Sequence, residues 1–311
     1  MNTFALEVIN LSKSYAGRVQ ALHNISFNIE HGDFFALLGP NGAGKSTTIS
    51  IICSLVKKDI GTIRILGYDL DKSIAEAKSC IGLVPQEFNF SAFETPLEIL
   101  VNQAGYYGVP RREALARAEH NLKLLDIWNK RDVASRFLSG GMKRRLMIAR
   151  AVMHGPQILI LDEPTAGVDI EVRHQIWNFL QHLNQDYGTT IVLTTHYLEE
   201  AEYLCRSVAI IDNGEIIKHG SMKDVLAEHS GYNYYIFEIK GDVDTITPPE
   251  WMTIEPNHDG SITAIFEAKI PLAQVISTLW ELGVIVINAR PQSNRLEKLF
   301  LQLTDGKDDG K

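Results

Sequence analysis

Phe34-Phe35-Ala36-Leu37-Leu38-Gly39-Pro40-Asn41-Gly42-Ala43-Gly44-Lys45-Ser46-Thr47 is the stretch on which the fold turns. Its five leading apolar residues predict a strand buried on both faces. The glycine-rich run that follows predicts a tight loop, and a helix begins at Lys45. Residues 39–46 fit the phosphate-binding-loop pattern in full, in the strand–loop–helix context it requires. In such a loop Gly39, Pro40, Asn41, Gly42, Ala43 and Gly44 form a cradle whose backbone N–H groups turn inward toward an anion. The helix start adds partial positive charge. Lys45 is placed to reach the outer phosphates, Ser46 to offer a hydroxyl to Mg²⁺, and Thr47 to make a further phosphate contact.

Two downstream segments extend this reading. Residues 158–162 form an apolar strand that ends in Asp162-Glu163. Ligands of open parallel sheets sit at the carboxyl ends of the strands, so these acids should face the phosphate loop. Successive strand side chains point to opposite faces, which gives the two carboxylates different tasks. Asp162 is expected to hold Mg²⁺ through a water, and Glu163 to act as general base on the attacking water. Leu138-Ser139-Gly140-Gly141 then offers a second anion-ready helix start, with Ser139 as N-cap and two glycines leaving N–H groups accessible. The chain has a single phosphate loop. Ser139, Gly140 and Gly141 are therefore expected to complete the site of a sister chain, in a homodimer that buries two nucleotides.

Working outward, residues 4–9, 24–30 and 62–67 read as short strands of an antiparallel layer. Residues 94–107 and 111–126 read as helices, within a helical insert spanning about 88–155. Strands return at 158–162, 190–195 and 207–211, separated by helices as in a parallel α/β sheet. Asp212-Asn213-Gly214-Glu215 signals a hairpin turn, and a capping-box pattern at Ser221 opens a short helix. A domain boundary is expected at 229–231. Beyond it, residues 231–303 read as a small α+β accessory domain. Tyr235, Phe237 and Ile239 alternate on one strand, and Ile262, Ala264 and Phe266 on another. Leu272, Val275, Ile276 and Leu279 repeat at helical spacing, a strand follows at 284–288, and Leu296, Leu299, Phe300 and Leu303 mark a last helix. Residues 304–311 are expected to be a disordered tail.

Composition narrows the function classes. The 311 residues are 45% hydrophobic and 22% charged, as in a packed globular protein, and the formal net charge is −8. That balance lacks the basic footprint of a nucleic-acid binder. Cys53, Cys80 and Cys205 match no zinc spacing and read as reduced structural thiols. Neither a signal peptide nor an apolar run of membrane-spanning length is visible, so any transport path is expected from another chain.

The loop Leu138 to Gly141, together with the phosphate loop and Asp162-Glu163 in this order, resembles the signature of ABC ATPases over residues 4–228. The resemblance implies an α/β P-loop NTPase core with an antiparallel β subdomain and a helical subdomain, residues 1–229, hydrolysing ATP with Mg²⁺. It gives Gln86, after Leu83-Val84-Pro85, the role of sensing Mg²⁺ and water. It places Asp169 at the dimer contact, His196 at the γ-phosphate and Tyr15 against adenine. Met142 after the signature glycines and the accessory domain resemble the ABC-2 type exporter branch. That branch implies a separate transmembrane permease and a place at the cytoplasmic face of the plasma membrane. A soluble non-transport ABC ATPase and a non-hydrolysing ATP-gated module stand as alternatives. Phe88, Phe90 and Phe93 are open between a partner groove and core packing. Lys143-Arg144-Arg145 and Arg111-Arg112 read as solvated helix faces.

Overall fold

Two twelve-residue strands open the chain, β1 (Phe4–Tyr15) and β2 (Val19–Glu30), paired antiparallel from Phe4↔Glu30 to Tyr15↔Val19. Sequence patterning stops them short at 4–9 and 24–30 because their alternation is broken midway. The register shifts between Val8 and Leu11, and Asn10 and Asn24 take left-handed backbone with φ of 51° and 52°. A bulge of this kind sets two residues opposite one and moves later side chains to the other face. β4 (Ile60–Ile65) and β5 (Tyr68–Asp69) complete a four-stranded antiparallel sheet in the order β2-β1-β4-β5.

β3 (Phe34–Leu38) is buried at all five positions, as its unbroken apolar run requires. It lies inside a six-stranded sheet with β6 (Ile81–Val84), β7 (Ile158–Asp162), β8 (Thr190–Thr194), β9 (Ser207–Asp212) and β10 (Glu215–Ser221), in the order β10-β9-β3-β8-β7-β6. All pairings are parallel except β9–β10, which is a hairpin turning at Asn213 and Gly214 with φ of 46° and 77°. One apolar cluster joins the two sheets. Leu6, Val8, Ile25 and Ile63 meet Phe35, Leu37 and Ile160, with Ile49 and Ile52 of α1 (Lys45–Ile52) between them.

After α2 (Ile74–Ser79), β6 is a strand the sequence pattern hides, being only four residues long with Gly82 inside it. A Cβ on Gly82 would stand 2.4 Å from the carbonyl oxygen of Ala151, so only glycine lets the strand lie this close to its neighbour. Helices α3 (Pro96–Tyr106), α4 (Arg111–Leu124) and α5 (Gly140–Ala151) follow. A capping box between Thr95 and Glu98, with Pro96 in the first turn, starts α3. On α5 the run from Leu146 to Ala149 is buried without a break, so the helix has little solvent-facing side. Arg144 and Arg145 are accordingly 5% and 6% exposed, not a solvated face. Arg145 is tolerated there because its Nη1 donates to the Leu125 carbonyl at 2.8 Å and to Gln175 Oε1 at 2.7 Å. Arg111 and Arg112 are exposed. The remaining helices of this part are α6 (Ile170–Tyr187) and α7 (Leu198–Leu204).

The computed structural model describes residues 4–15, 19–228, 232–240, 248–267, 269–291, 296, 297, 299, 300 and 303. It divides into two units, Met1–Met222 and Lys223–Lys311, at the start of α8 (Met222–Glu228). The boundary expected at 229–231 and the tail at 304–311 lie outside the described residues. In the second unit β11 (Tyr232–Lys240), β12 (Met252–Pro256), β13 (Ile262–Glu267) and β14 (Ile285–Pro291) form an antiparallel sheet ordered β12-β13-β11-β14. β12 was not foreseen, being a short edge strand that ends in proline. Phe237, Ile262, Ala264 and Phe266 pack against Val275 and Leu279 of α9 (Leu272–Glu281). Leu296, Leu299, Phe300 and Leu303 are helical, and the first two are buried.

The parallel register fixes where chemistry can occur. Leu37 and Asp162 both pair with Thr194, and Val84 pairs with Leu161. The carboxyl ends of β3, β6, β7 and β8 therefore finish at one edge, and the chain leaves them into residues 39, 86, 163 and 196.

Candidate active site

The phosphate loop owes its shape to two glycines pressed against their surroundings. A Cβ on Gly39 would stand 2.2 Å from the carbonyl oxygen of Ile211. Gly44 takes φ of 110°, and its Cβ would meet Leu22 Cδ2 at 2.7 Å and the Ala21 carbonyl at 2.8 Å. The β9–β10 turn also braces the loop from outside. Gly214 donates to the Ala43 carbonyl at 3.0 Å, and its own carbonyl accepts from His23 at 2.8 Å. Lys45, at the first position of α1, is 7% exposed and folds over its own loop, donating to the carbonyls of Gly39 at 2.6 Å and Pro40 at 2.9 Å. Burial lowers its ammonium pKa, against the opposing pull of Glu163 and Asp162. Asn41, Gly42 and Ser46 are exposed at the mouth of the loop, and Thr47 is half-buried.

Facing the loop, Asp162 accepts a hydrogen bond from the Thr194 hydroxyl at 2.5 Å. Glu163 takes left-handed backbone, φ 49°, and its N–H donates to the Thr194 carbonyl at 3.0 Å. The carboxylate of Glu163 is held from both sides. Gln86 Nε2 donates to Oε2 at 3.2 Å, and His196 Nδ1 stands 3.3 Å from Oε1. The three residues expected to run catalysis thus meet at one carboxyl group.

Other expected residues make contacts of their own. Tyr15 is 43% exposed at the end of β1, with the Lys13 ammonium 5.5 Å from its ring centroid. Ser139 accepts from Met142 N–H at 3.3 Å and so caps α5, while Gly140 has open space where a Cβ would point. Asp169 caps α6 in the same manner, accepting from Val172 N–H at 2.8 Å. A Cβ on Gly141 would meet the Val172 side chain at 3.2 Å, so the turn at 139–141 and the turn at Asp169 pack side by side.

Sequence reasoning missed the residue that supports Gln86. The Arg144 guanidinium donates to the carbonyls of Pro85 at 3.1 Å and Gln86 at 2.9 Å, and stacks on Phe88 at 5.2 Å. Arg150 continues the tie, donating to the Asn89 carbonyl at 3.1 Å. The signal was the unbroken apolar run beside Arg144, since a cation on a helix buried all round needs built-in partners. Phe88 and Phe93, 47% and 76% exposed, are not core residues, and Arg136 lies over the rings of Phe93 and Phe137 at 5.2 and 4.7 Å.

A phosphate loop, a strand-end acid pair and a histidine just past the neighbouring strand define a nucleotide-hydrolysing P-loop protein. Comparison with known proteins gives the family. The ABC transporter family model matches residues 22–166. The linearmycin resistance ATP-binding protein LnrL of Bacillus subtilis is 36% identical over 312 residues, covering 96% of this chain and 98% of that protein. A Nod factor export ATP-binding protein I of Paraburkholderia xenovorans is 35% identical, covering 96% and 97%. Among solved structures, an ATP-binding subunit of an ABC transporter has a TM-score of 0.67 at 31% identity, covering 72% of this chain and 92% of that one. A bacterial ABC transporter cassette solved as a dimer has a TM-score of 0.65 at 29% identity, covering 70% and 98%. The chain belongs to the ABC transporter family of ATP-binding subunits, and it binds and hydrolyses ATP. Among the described residues no helix is long and apolar enough to cross a membrane.

Proposed function

We propose that two copies of this chain clamp two ATP molecules and drive a separate ABC-2 type permease as an exporter. The observation that carries the reading is the Glu163 carboxylate, held between Gln86 and His196 at the mouth of the Lys45 loop. Residues 39–47 bind the phosphates, with Lys45 leaving its loop carbonyls for the phosphate oxygens. Glu163 takes the proton of the attacking water, Gln86 and His196 orient that water and the γ-phosphate, and Tyr15 stacks on adenine. Ser139, Gly140, Gly141 and Asp169 serve the partner's nucleotide. Their two turns pack together, so one docking motion presents both.

Mg²⁺ fits the donor set. Ser46, Asp162 and Gln86 offer only hydroxyl, carboxylate and amide oxygens, the hard ligands this cation takes alongside phosphates and water. When bound, it would neutralise charge building on the phosphates. Phe88, two residues after Gln86, and Phe93 and Phe137, joined through Arg136, are exposed aromatics suited to a permease contact at the cytoplasmic membrane face. Export rests on relatives named for linearmycin resistance and Nod factor export. In this reading residues 231–303 are an accessory domain.

Glu163→Gln tests the mechanism. The variant should bind ATP, remain dimeric with it, and lose at least about a hundredfold in turnover, the scale of a general base. Undiminished phosphate release would remove Glu163 from its role.

A further inference from the structure

Glu200 on α7 has no exposed surface at all. Its Oε1 accepts from Trp177 Nε1 at 2.8 Å and from the Thr165 hydroxyl at 2.9 Å. Burial raises its carboxyl pKa, opposed by those donors, the Thr195 hydroxyl and the Arg173 guanidinium. A buried acid is harder to keep than an apolar residue of like size, so its position calls for a reason.

The groups it joins supply one. Thr165 stands two residues after Glu163, in the turn that leads to Asp169. Trp177 belongs to α6, the helix that Asp169 caps. Glu200 itself is four residues after His196. A second tie runs beside the first. The Arg173 guanidinium, also on α6, lies 4.7 Å from the ring centroid of Tyr197, and that ring packs against His196 at 4.0 Å. Trp177 further stacks on Tyr203 of α7 at 5.0 Å. The loop from Glu163 to Asp169, α6 and the His196 segment are thus pinned to one another at a single buried carboxyl.

We infer that Glu200 is a positioning residue. It fixes the separation of Glu163 and His196, and it makes them move with Asp169 when a second copy docks. The inference rests on the reading of Glu163, His196 and Asp169 given above.

The test uses the purified full chain. Turnover is measured as phosphate release, ATP affinity with a fluorescent ATP analogue, and folding by thermal melting. Glu200→Ala should lower kcat about tenfold, as expected for losing one buried hydrogen-bond hub, with KM changed less than about twofold. Glu200→Gln keeps an acceptor oxygen for Trp177 and Thr165 and should return kcat to within about twofold of the parent. Combining Glu200→Ala with Asp169→Ala should slow turnover no more than the slower single change, because both interrupt one linkage. If Glu200→Ala does not fold, Trp177→Phe decides, with kcat expected to fall about threefold at unchanged KM. Parental kcat in a folded Glu200→Ala or Trp177→Phe, no rescue by glutamine, or multiplicative losses with Asp169→Ala would overturn the inference. Lys45→Ala and Glu163→Gln serve as controls. Should they turn over ATP normally, the site reading itself fails and the inference falls with it.

Discussion

Replacing Arg144 with methionine keeps an unbranched stem in the buried channel and removes the guanidinium. Two hydrogen bonds, at 3.1 and 2.9 Å, and the stacking on Phe88 at 5.2 Å go with it. Hydrogen bonds from a charged donor contribute about 1.5–3 kcal/mol each, offset here by the relieved burial of a cation. A net loss of about 2–3 kcal/mol follows, which for a unit of this size lowers the melting temperature by roughly 5–10 °C. The functional loss has a separate origin. Without its carbonyl anchors the loop carrying Gln86 no longer holds Nε2 3.2 Å from Glu163, and one positioned donor at the reacting centre is forfeited. That should slow turnover about tenfold or more, with little change in KM. Steady-state phosphate release and calorimetry on Arg144→Met, Gln86→Ala and the double variant check this. The double variant should be no slower than the slower single one, since both act through the same contact. Parental kcat in Arg144→Met, or losses that multiply, would refute the reasoning.

Three further outcomes are expected. Gly140→Ala adds a methyl that meets nothing within 4 Å in the chain, so stability should hold or rise by up to about 1 kcal/mol while ATP turnover falls about tenfold through a clash with the partner's nucleotide; full activity would argue against completion of the site in trans. The raised carboxyl pKa of Glu200 means that its ionisation opposes folding, a penalty absent below its ordinary value of 4.5 and growing as pH rises through the raised one. Glu200→Gln should therefore be more stable than the parent at neutral pH, with the gap closing toward pH 4.5 in denaturant titrations. Burial, and next the charge of Asp162, push the Cys53 thiol up to about 12 against the pull of Lys78. It should resist thiol reagents at mildly alkaline pH until the chain unfolds, and rapid labelling of the native protein at Cys53 would contradict its burial.

The phosphate loop, the acid pair and the histidine were legible because each is local, and because parallel strands bring their carboxyl ends to one edge. Register then does the rest, as the pairing of both Leu37 and Asp162 with Thr194 illustrates. Features that depend on contacts between distant segments were not legible. Arg144 reads as one of three surface cations until α5 is seen to be buried on nearly every side. β1 and β2 lose their alternation at Asn10 and Asn24, so pattern reading ends each strand at its bulge. The meeting of Thr165, Trp177 and Glu200 spans 35 residues and has no spacing rule to betray it.

The turn at Asn213 and Gly214 leans on the phosphate loop from the far end of the first unit. Ala43 is bonded to Gly214, and Gly39 lies against Ile211, so the cradle written into residues 39–46 is walled by residues that follow it by more than 160 positions. During synthesis on the ribosome the motif emerges early with Ala21 and Leu22 already made, and it gains its remaining wall once the β9–β10 hairpin has left the exit tunnel and docked. A nascent chain halted before that point carries every residue of 39–46 but lacks the Ile211 and Gly214 contacts that complete the cradle.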